Sequence, residues 1–224
     1  MFSSDDIHWY KNSRTKEPAH RIERREYISY IGGVVEFRKH LLACALRNGY
    51  GQYRRTVFLS DGAAWIAGMI AEFFPDVIHI LDFFHLSENV YSYAKALFPN
   101  NPDQVTRWAE SICESLREGR VDEVLEELKT LHHPSECIDL PHYLQFHREH
   151  VNYPQYIAMG LFIGSGAIES GNKVVLQRRL KQAGMRWEVQ TAQYLIALRA
   201  KEASGLWCEV VSLVRQHYGL PSPR

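Results

Sequence analysis

The sequence has few cysteines, and their spacing matches no common metal site. Cys44, Cys113, Cys137 and Cys208 are scattered along 224 residues without a Cys-x-x-Cys pair. This spacing disfavours a zinc ribbon or a disulfide framework. Unpaired cysteines are typical of a reducing compartment, so we expect a cytoplasmic protein.

The sequence also lacks long apolar runs and an excess of charge. No stretch approaches the roughly 18 apolar residues of a membrane span. The opening segment, MFSSDDIHWYKNSRTKEPAH, has no apolar core of the kind found in a signal peptide. We therefore expect no membrane partner. Because 26 basic residues balance 26 acidic ones, any affinity for nucleic acid must come from local patches.

Apolar residues are abundant enough for a folded core, at 46% of the chain. Residues 1–31 predict a β-hairpin or an edge pair, with a turn at Asn12–Pro18 and a strand at IERREYISYI. Helices and strands then alternate, which predicts an α/β fold with parallel strand pairs. The alternating elements are a helix over 34–48, a strand at 56–60, a helix at about 63–74 and a strand at 77–85.

The remainder of the chain is helical in pattern. Residues 86–150 contain no strand-like run, a long helix begins near Gly166, and the C-terminal helices break around Gly205. We therefore divide the chain into 1–85, a core of strands and crossover helices, 86–160, a helical insertion, and 161–224, helices that complete the core.

The stretch VFLSDGAAWI places Asp61 between a predicted strand and a helix. A carboxylate at this position either caps the helix, by accepting bonds from free backbone N–H groups, or binds a metal ion. Taken alone, the local sequence favours the cap.

Two further acidic motifs follow. LDFFH places Asp82 and His85 at the end of the next predicted strand, where the ordinary interpretation is a helix cap and a hydrogen-bonded histidine. GSGAIES places Glu169 in the first turns of a helix, whose dipole stabilises a carboxylate. The ordinary interpretation of the second motif is a glycine-rich loop with a capping glutamate.

A basic helix is predicted directly after Glu169. It has no acidic residue between 173 and 187, and it carries Gln177, Gln182 and Trp187 among its cations. This pattern suits contact with a phosphate backbone beside a metal ion, and the alternative is a solvated basic face. The basic residues are Lys173, Arg178, Arg179, Lys181 and Arg186.

In their order along the chain, these motifs resemble the catalytic domain of bacterial insertion-sequence transposases of the DDE class. The similarity runs through VFLSDGAAWI, FPDVIHILDFFHLSENV, YPQYIAMGLFIGSGAIES and VVLQRRLKQAGMRWEVQTAQYLIALRA, and so covers roughly residues 20–205. It implies an RNase H-like mixed sheet flanked by helices, with a large α-helical insertion.

The resemblance also implies a catalytic site. Asp61 and Glu169 match two catalytic carboxylates that bind Mg²⁺, with Mn²⁺ as a substitute, and Asp82 and His85 match the D-x-x-H motif between them. Phosphoryl transfer of this kind uses two divalent ions that clamp the attacking and leaving oxygens. The implied activity is hydrolysis at transposon ends followed by strand transfer into target DNA. The resemblance further implies that a homo-oligomer carries out this reaction and that the five basic residues contact the DNA.

One feature departs from the family pattern. Such enzymes carry a first catalytic aspartate on their first strand, and only Asp5 and Asp6 lie early enough. Only four residues precede Asp5, which are too few for a full strand. We therefore expect Asp5 and Asp6 to be surface or turn residues. We therefore expect the C-terminal portion of a transposase, with impaired or no activity in isolation. The alternatives are an inactive remnant that binds DNA or oligomerises, and another RNase H-like nuclease such as a junction resolvase.

Overall fold

The computed structural model describes residues 1–11, 13, 18–131, 134, 137–164, 166 and 171–221. The chain is a mixed α/β protein that is mostly helical, and its described strands form two separate two-stranded sheets. It divides into two compact units, Met1–Arg54 with Gly166–Arg224, and Arg55–Ser165.

The helices and strands have the following bounds. In chain order they are β1 (Ile7–Lys11), β2 (Pro18–Ile22), α1 (Val34–Arg47), β3 (Val57–Ser60), α2 (Ala64–Phe73), β4 (Ile78–Leu81), α3 (Phe83–Leu97), α4 (Pro102–Arg117), α5 (Val121–Thr130), α6 (Leu140–Phe146), α7 (Tyr153–Ala158), α8 (Arg178–Leu180), α9 (Val189–Ala203) and α10 (Trp207–His217). Short 3-10 turns occupy Ser4–Asp6 and Arg148–His150, and a π-helical turn occupies Lys173–Gln177.

The predicted antiparallel pair at the N-terminus is confirmed, and most of its predicted turn at Asn12–Pro18 lies outside the described residues, with Pro18 already in β2. The predicted strand IERREYISYI is wrong beyond its first residue. Strands β1 and β2 pair antiparallel, with Ile7 opposite Ile22. After Ile22 the chain stays beside the N-terminal segment, where the Glu23 N–H donates to the Asp6 carbonyl (2.8 Å) and the Glu26 N–H to the Met1 carbonyl (2.7 Å). From Tyr27 onward it runs along α9 and the residue that caps it, Ser204, instead of another strand. The Tyr27 N–H donates to Ser204 Oγ (2.8 Å), and the Ile31 N–H donates to Gln193 Oε1 (2.6 Å). Side chains of a distant helix thus replace a strand partner, which local β-propensity cannot anticipate.

The predicted break in the C-terminal helices is confirmed at Gly205. Helix α9 ends at Ala203, and Gly205 adopts a φ of 70° before α10 begins. The Leu206 N–H then donates to the Lys201 carbonyl (2.9 Å). This bond closes a left-handed C-terminal turn that glycine favours.

Arg199 on α9 supports the π-helical turn of the same unit. Its Nε donates to the Val175 carbonyl (2.9 Å), and its Nη2 donates to the Val174 carbonyl. π-helical turns are rare in proteins, and the two outside donors add to the hydrogen bonding of this one.

We expect Arg199→Met to lower the free energy of unfolding by about 1 to 3 kcal/mol, measured by urea unfolding. Arg199→Lys should fall between the parent and the methionine variant, because an ammonium cannot reproduce the fork of donors. A methionine variant as stable as the parent would contradict this role.

The second unit is built on the parallel pair of β3 and β4. Val57 lies opposite Ile78 and Ser60 opposite Leu81, as the alternation of elements predicts. Ile80 and Leu81 are completely buried. Helices α3 and α4 add Leu86, Val90, Ile112 and Leu116 to the same core. This packing fixes the carboxyl ends of both strands at one edge of the sheet.

The predicted strand at 77–85 is too long, because it ends at Leu81. Asp82 begins a helix instead: its Oδ1 accepts bonds from the N–H groups of Phe84 (2.8 Å) and His85 (3.3 Å). An apolar run cannot by itself separate a strand from the helix that follows. Residues 86–160 contain most of α3, all of α4–α7 and no described strand. None of the helices in the described ranges is long and apolar enough to cross a bilayer.

Candidate functional site

Two aspartates leave the parallel strands at the same edge. Asp61 follows Ser60, the last residue of β3, and Asp82 follows Leu81, the last residue of β4. Because Ser60 and Leu81 are register partners, both aspartates stand at the carboxyl edge of the pair, where ligands of parallel sheets commonly bind. The sequence predicted this placement.

Asp61 is exposed and does not cap α2. The N-cap of α2 is Ala63, which makes no side-chain cap bond. The Asp61 Oδ1 accepts one bond, from the Ala63 N–H (3.0 Å), which closes a local turn. The carboxylate therefore keeps lone pairs directed to solvent, as an external ligand requires.

Helix α6 and its C-cap, His147, hold the turn that carries Asp61. The Tyr143 hydroxyl donates to the Asp61 carbonyl (3.0 Å), and His147 Nε2 lies 2.9 Å from the Gly62 carbonyl. A bond to a carbonyl requires the proton on Nε2, so His147 is the neutral Nε2–H tautomer. Burial lowers the pKa of His147 and raises the pKa of Tyr143 to about 12. Both groups are therefore neutral donors at pH 7.

Gly62 is buried between these two side chains and adopts a φ of 81°. A Cβ atom here would lie 2.4 Å from Tyr143 Oη, 2.6 Å from Leu81 Cδ1 and 3.0 Å from His147 Nε2. Both the backbone conformation and the space require glycine. The close packing makes the Asp61–Gly62 turn a rigid part of the site.

Asp82 and His85 do not share a side-chain contact. Asp82 is fully buried; its Oδ1 caps α3, and its Oδ2 has no partner among the described residues. The His85 ring points elsewhere, with Nδ1 3.2 Å from Glu88 Oε2. The structure thus places both residues as the ordinary interpretation expects, in a helix cap and a hydrogen-bonded histidine.

An open cleft of about 420 Å³ lies beside Asp61. Its lining residues are Asp61, Gly62, Ala63, His85, Asn89, Ile138 and Tyr143. The cleft thus brings Asp61 and His85 together but does not include Asp82.

The sequence did not predict three residues around the cleft and the Asp61 turn, Tyr143, His147 and Asn89. The only sequence signal for the first two is their spacing of one helical turn, which many core residues share.

Glu169 lies outside the described residues. Within the described ranges, no three His, Cys, Asp or Glu side chains form a group that could hold a metal ion. The Mg²⁺ site therefore stays a prediction.

Asp5 and Asp6 belong to a local turn, in which Asp6 Oδ2 accepts from the Ser3 N–H (2.7 Å) and the Ser3 hydroxyl (2.9 Å).

The basic segment 173–187 is not one continuous helix. The helix ends at Leu180, and Gly184 adopts a φ of 78° in the turn that follows. The prediction of a helix through 187 is therefore wrong. Arg179 lies over the Trp187 ring, 5.7 Å from its centroid. The five predicted DNA-binding residues, Lys173, Arg178, Arg179, Lys181 and Arg186, are all exposed, and none forms an ion pair with another described residue.

No protein-family model, curated protein or solved structure gave a significant match.

Proposed function

We propose that this chain is part of a DDE-class transposase that binds DNA and acts on its phosphodiester bonds. The observation that carries the proposal is the placement of Asp61 and Asp82 after two parallel strands, at one edge of a sheet. The ordered motifs of the sequence support it. In this proposal the fold is RNase H-like, and residues 86–160 are its α-helical insertion.

Asp61 is the residue best placed to bind a catalytic metal ion. Its carboxylate is exposed, borders the cleft and makes only one local hydrogen bond. Carboxylate oxygens suit Mg²⁺ and Mn²⁺, and the resemblance supplies Glu169 as a further ligand. Bound divalent ions would activate water or a 3′-hydroxyl and stabilise charge on the phosphoryl group. The bonds from Tyr143 and His147 would hold Asp61 in position.

The basic segment 173–187 is the proposed DNA contact. Its cations are exposed and free of ion pairs with the described residues, so they are available to phosphate oxygens. The stack of Arg179 on Trp187 restricts the guanidinium without neutralising it. The proposed partners are transposon ends, target DNA and further copies of the chain.

Asp61→Asn should weaken Mn²⁺ binding by about tenfold or more. The amide keeps the size of the side chain and an oxygen for the Ala63 N–H, but it loses the negative charge. The measurement is the electron paramagnetic resonance signal of free Mn²⁺ in titrations of the purified chain. Asp76→Asn, at an exposed position of the same unit, is the matched control and should change nothing. Equal Mn²⁺ affinity in both variants would rule out Asp61 as a ligand.

Charge reversal of Arg178, Arg179 and Lys181 should abolish retention of duplex DNA at low salt. Each lost phosphate contact also removes about one unit from the slope of log affinity against log salt. Filter binding over a salt series measures both effects. The triple variant R107E/R117E/K129E gives the same change in net charge at exposed sites of α4 and α5 and should retain DNA. Similar losses in both triple variants would show that net charge, not this segment, determines binding.

A second candidate function is DNA binding without catalysis. It is favoured because the basic segment belongs to the first compact unit, whereas Asp61 belongs to the second, so DNA retention does not require the cleft. Plasmid nicking with Mg²⁺ or Mn²⁺ separates the two. Nicking that is lost in Asp61→Asn supports the enzyme. DNA retention without nicking is also expected of a transposase portion with impaired or no activity, so it supports the binder only if Asp61→Asn leaves Mn²⁺ affinity unchanged as well. Failure to retain DNA at low salt would contradict both.

A further inference from the structure

The two paired strands β1 and β2, here called the β1–β2 ribbon, are exposed on both faces. Residues opposite one another in an antiparallel pair share a face, and successive residues alternate between faces. Trp9 and Lys11 therefore lie on one face, and His8, Tyr10 and Arg21 lie on the other. All five are exposed, with Trp9 and Tyr10 accessible over 59% and 48% of their surface. No other helix or strand of the described ranges packs along the ribbon.

The base of the ribbon is anchored in the first compact unit. Ile22 is buried, and Ile7 opposite it is half-buried. Next to this pair, the Glu23 N–H donates to the Asp6 carbonyl (2.8 Å). A two-stranded ribbon without a core of its own is only marginally stable in water. A ligand that covered both faces would therefore stabilise the exposed part.

The ribbon carries positive charge in a chain that is neutral overall. Residues 8–22 contain four Lys or Arg residues and one Glu, whereas the whole sequence has 26 residues of each sign. Neither strand contains a carboxylate. Lys11 and Arg21 form no ion pair with another described residue, and the carboxylates of Asp6 and Glu23 belong to the anchored base. A local excess of cations of this kind attracts a polyanion.

Cations and aromatic rings on both faces favour a groove over a flat surface. A membrane or a flat protein surface would cover one face and leave the other in water. Stacked sheets lie about 10 Å apart, so a ribbon with its side chains is about 10 Å thick. The major groove of B-DNA is about 12 Å wide and admits a two-stranded ribbon, whereas the minor groove, at about 6 Å, is too narrow. The major groove of A-form RNA is also too narrow for side chains.

We propose that the β1–β2 ribbon is a second DNA-binding element, which enters the major groove of duplex DNA. Lys11 and Arg21, on opposite faces, bind phosphate oxygens of the two walls. Trp9 and Tyr10 face the base edges, where the thymine methyl group offers an apolar contact. This site is separate from the basic segment 173–187 and from the cleft, and it needs no metal ion. It rests on the proposed function only in taking the same ligand, duplex DNA.

Fluorescence anisotropy of a labelled DNA duplex over a salt series tests the charges. We expect the dissociation constant of the full chain to rise about tenfold or more in K11E/R21E at low salt, and the slope of log affinity against log salt to fall by about two units. K11Q/R21Q should lose the same slope but less affinity, because it removes the cations without adding repulsion. R107E/R117E, with the same charge change at exposed sites of α4, is the matched control and should behave as the parent does.

A photo-cross-link locates the contact in the parent chain, without any variant. The C5 position of a pyrimidine lies in the major groove, and light cross-links 5-iodouracil at this position to a neighbouring aromatic ring. With 5-iodouracil in the duplex, we expect the cross-linked peptide to contain Trp9 or Tyr10. Cross-links confined to other peptides overturn the proposal.

The outcomes separate this proposal from the proposed function. If K11E/R21E matches its control while charge reversal of Arg178, Arg179 and Lys181 abolishes DNA binding, the ribbon proposal fails and the proposed function stands. Equal affinity for duplex RNA also overturns the ribbon proposal, because the A-form major groove cannot admit the ribbon. A parent chain that binds anionic vesicles but no DNA overturns both, and assigns these cations to a membrane surface.

Discussion

Replacing Gly62 by alanine should lower the free energy of unfolding by about 2 to 5 kcal/mol. Two separate costs combine at this position. An alanine at a φ of 81° is strained, which costs about 1 to 2 kcal/mol. Its Cβ would also lie 2.4 Å from Tyr143 Oη and 2.6 Å from Leu81 Cδ1. Overpacking of a buried site costs about 1 to 3 kcal/mol more.

The same substitution should disturb the site as well as the fold. Tyr143 and His147 can make room for a methyl group only by moving away from the carbonyls of Asp61 and Gly62. We therefore expect the folded fraction of Gly62→Ala to bind Mn²⁺ more weakly than the parent does. Urea unfolding followed by circular dichroism gives the stability, and titration with Mn²⁺ gives the second effect.

Gly68→Ala is the control for this prediction. Gly68 lies inside α2, and a Cβ atom at this position would meet no atom within 4 Å outside the backbone of its own helix. Alanine there removes the entropic cost of a helical glycine, and we expect a gain of about 0.5 to 1 kcal/mol. Equal free energies of unfolding for the two alanine variants would contradict the close packing that we describe around Gly62.

Acidification from pH 7 to pH 5 should lower the free energy of unfolding by about 2 kcal/mol through His79 alone. This side chain is buried, with Nε2 2.8 Å from Ser60 Oγ and its ring 4.1 Å from that of His150. Burial, followed by the charges of His150 and His147, lowers the pKa of His79 from 6.5 to about 4.

The sign follows from proton binding. Between pH 4 and pH 6.5 the unfolded chain protonates His79 and the folded chain does not, so protons favour unfolding. The stabilisation is complete above pH 6.5 and is lost as the pH falls toward 4. Burial also lowers the pKa values of His147 and His150, and both therefore add to the loss.

Urea unfolding at pH 7, 6 and 5 measures this effect. The variant His79→Gln keeps a hydrogen-bonding group near Ser60 but cannot be protonated. Between pH 7 and pH 5 we expect the free energy of unfolding of this variant to fall by about 2 kcal/mol less than that of the parent. An unchanged pH dependence in the variant would mean that His79 is not responsible.

Much of the fold follows from short-range patterns. Apolar runs of strand length bounded by turn residues predicted β3 and the start of β4, and helical periodicity predicted α1 and the helices of 86–160. The break at Gly205 follows from the conformational freedom of glycine. The errors occur where partners are distant in sequence or where a cap intervenes. Residues 27–31 bond to α9 and its C-cap, and a helix capped by Asp82 begins where the sequence predicted that the strand continues.

The sequence by itself determined which carboxylates stand at the strand ends. Asp61 and Asp82 each follow an apolar run, and parallel strands align their carboxyl ends. Only the tertiary structure decided their environments. Asp61 stays exposed beside the cleft, whereas Asp82 is buried in a helix cap. Helix α6 supplies Tyr143, and its C-cap supplies His147, to the Asp61–Gly62 turn from about 80 residues away. No local pattern encodes such contacts, because they depend on how the core packs α6 against the sheet.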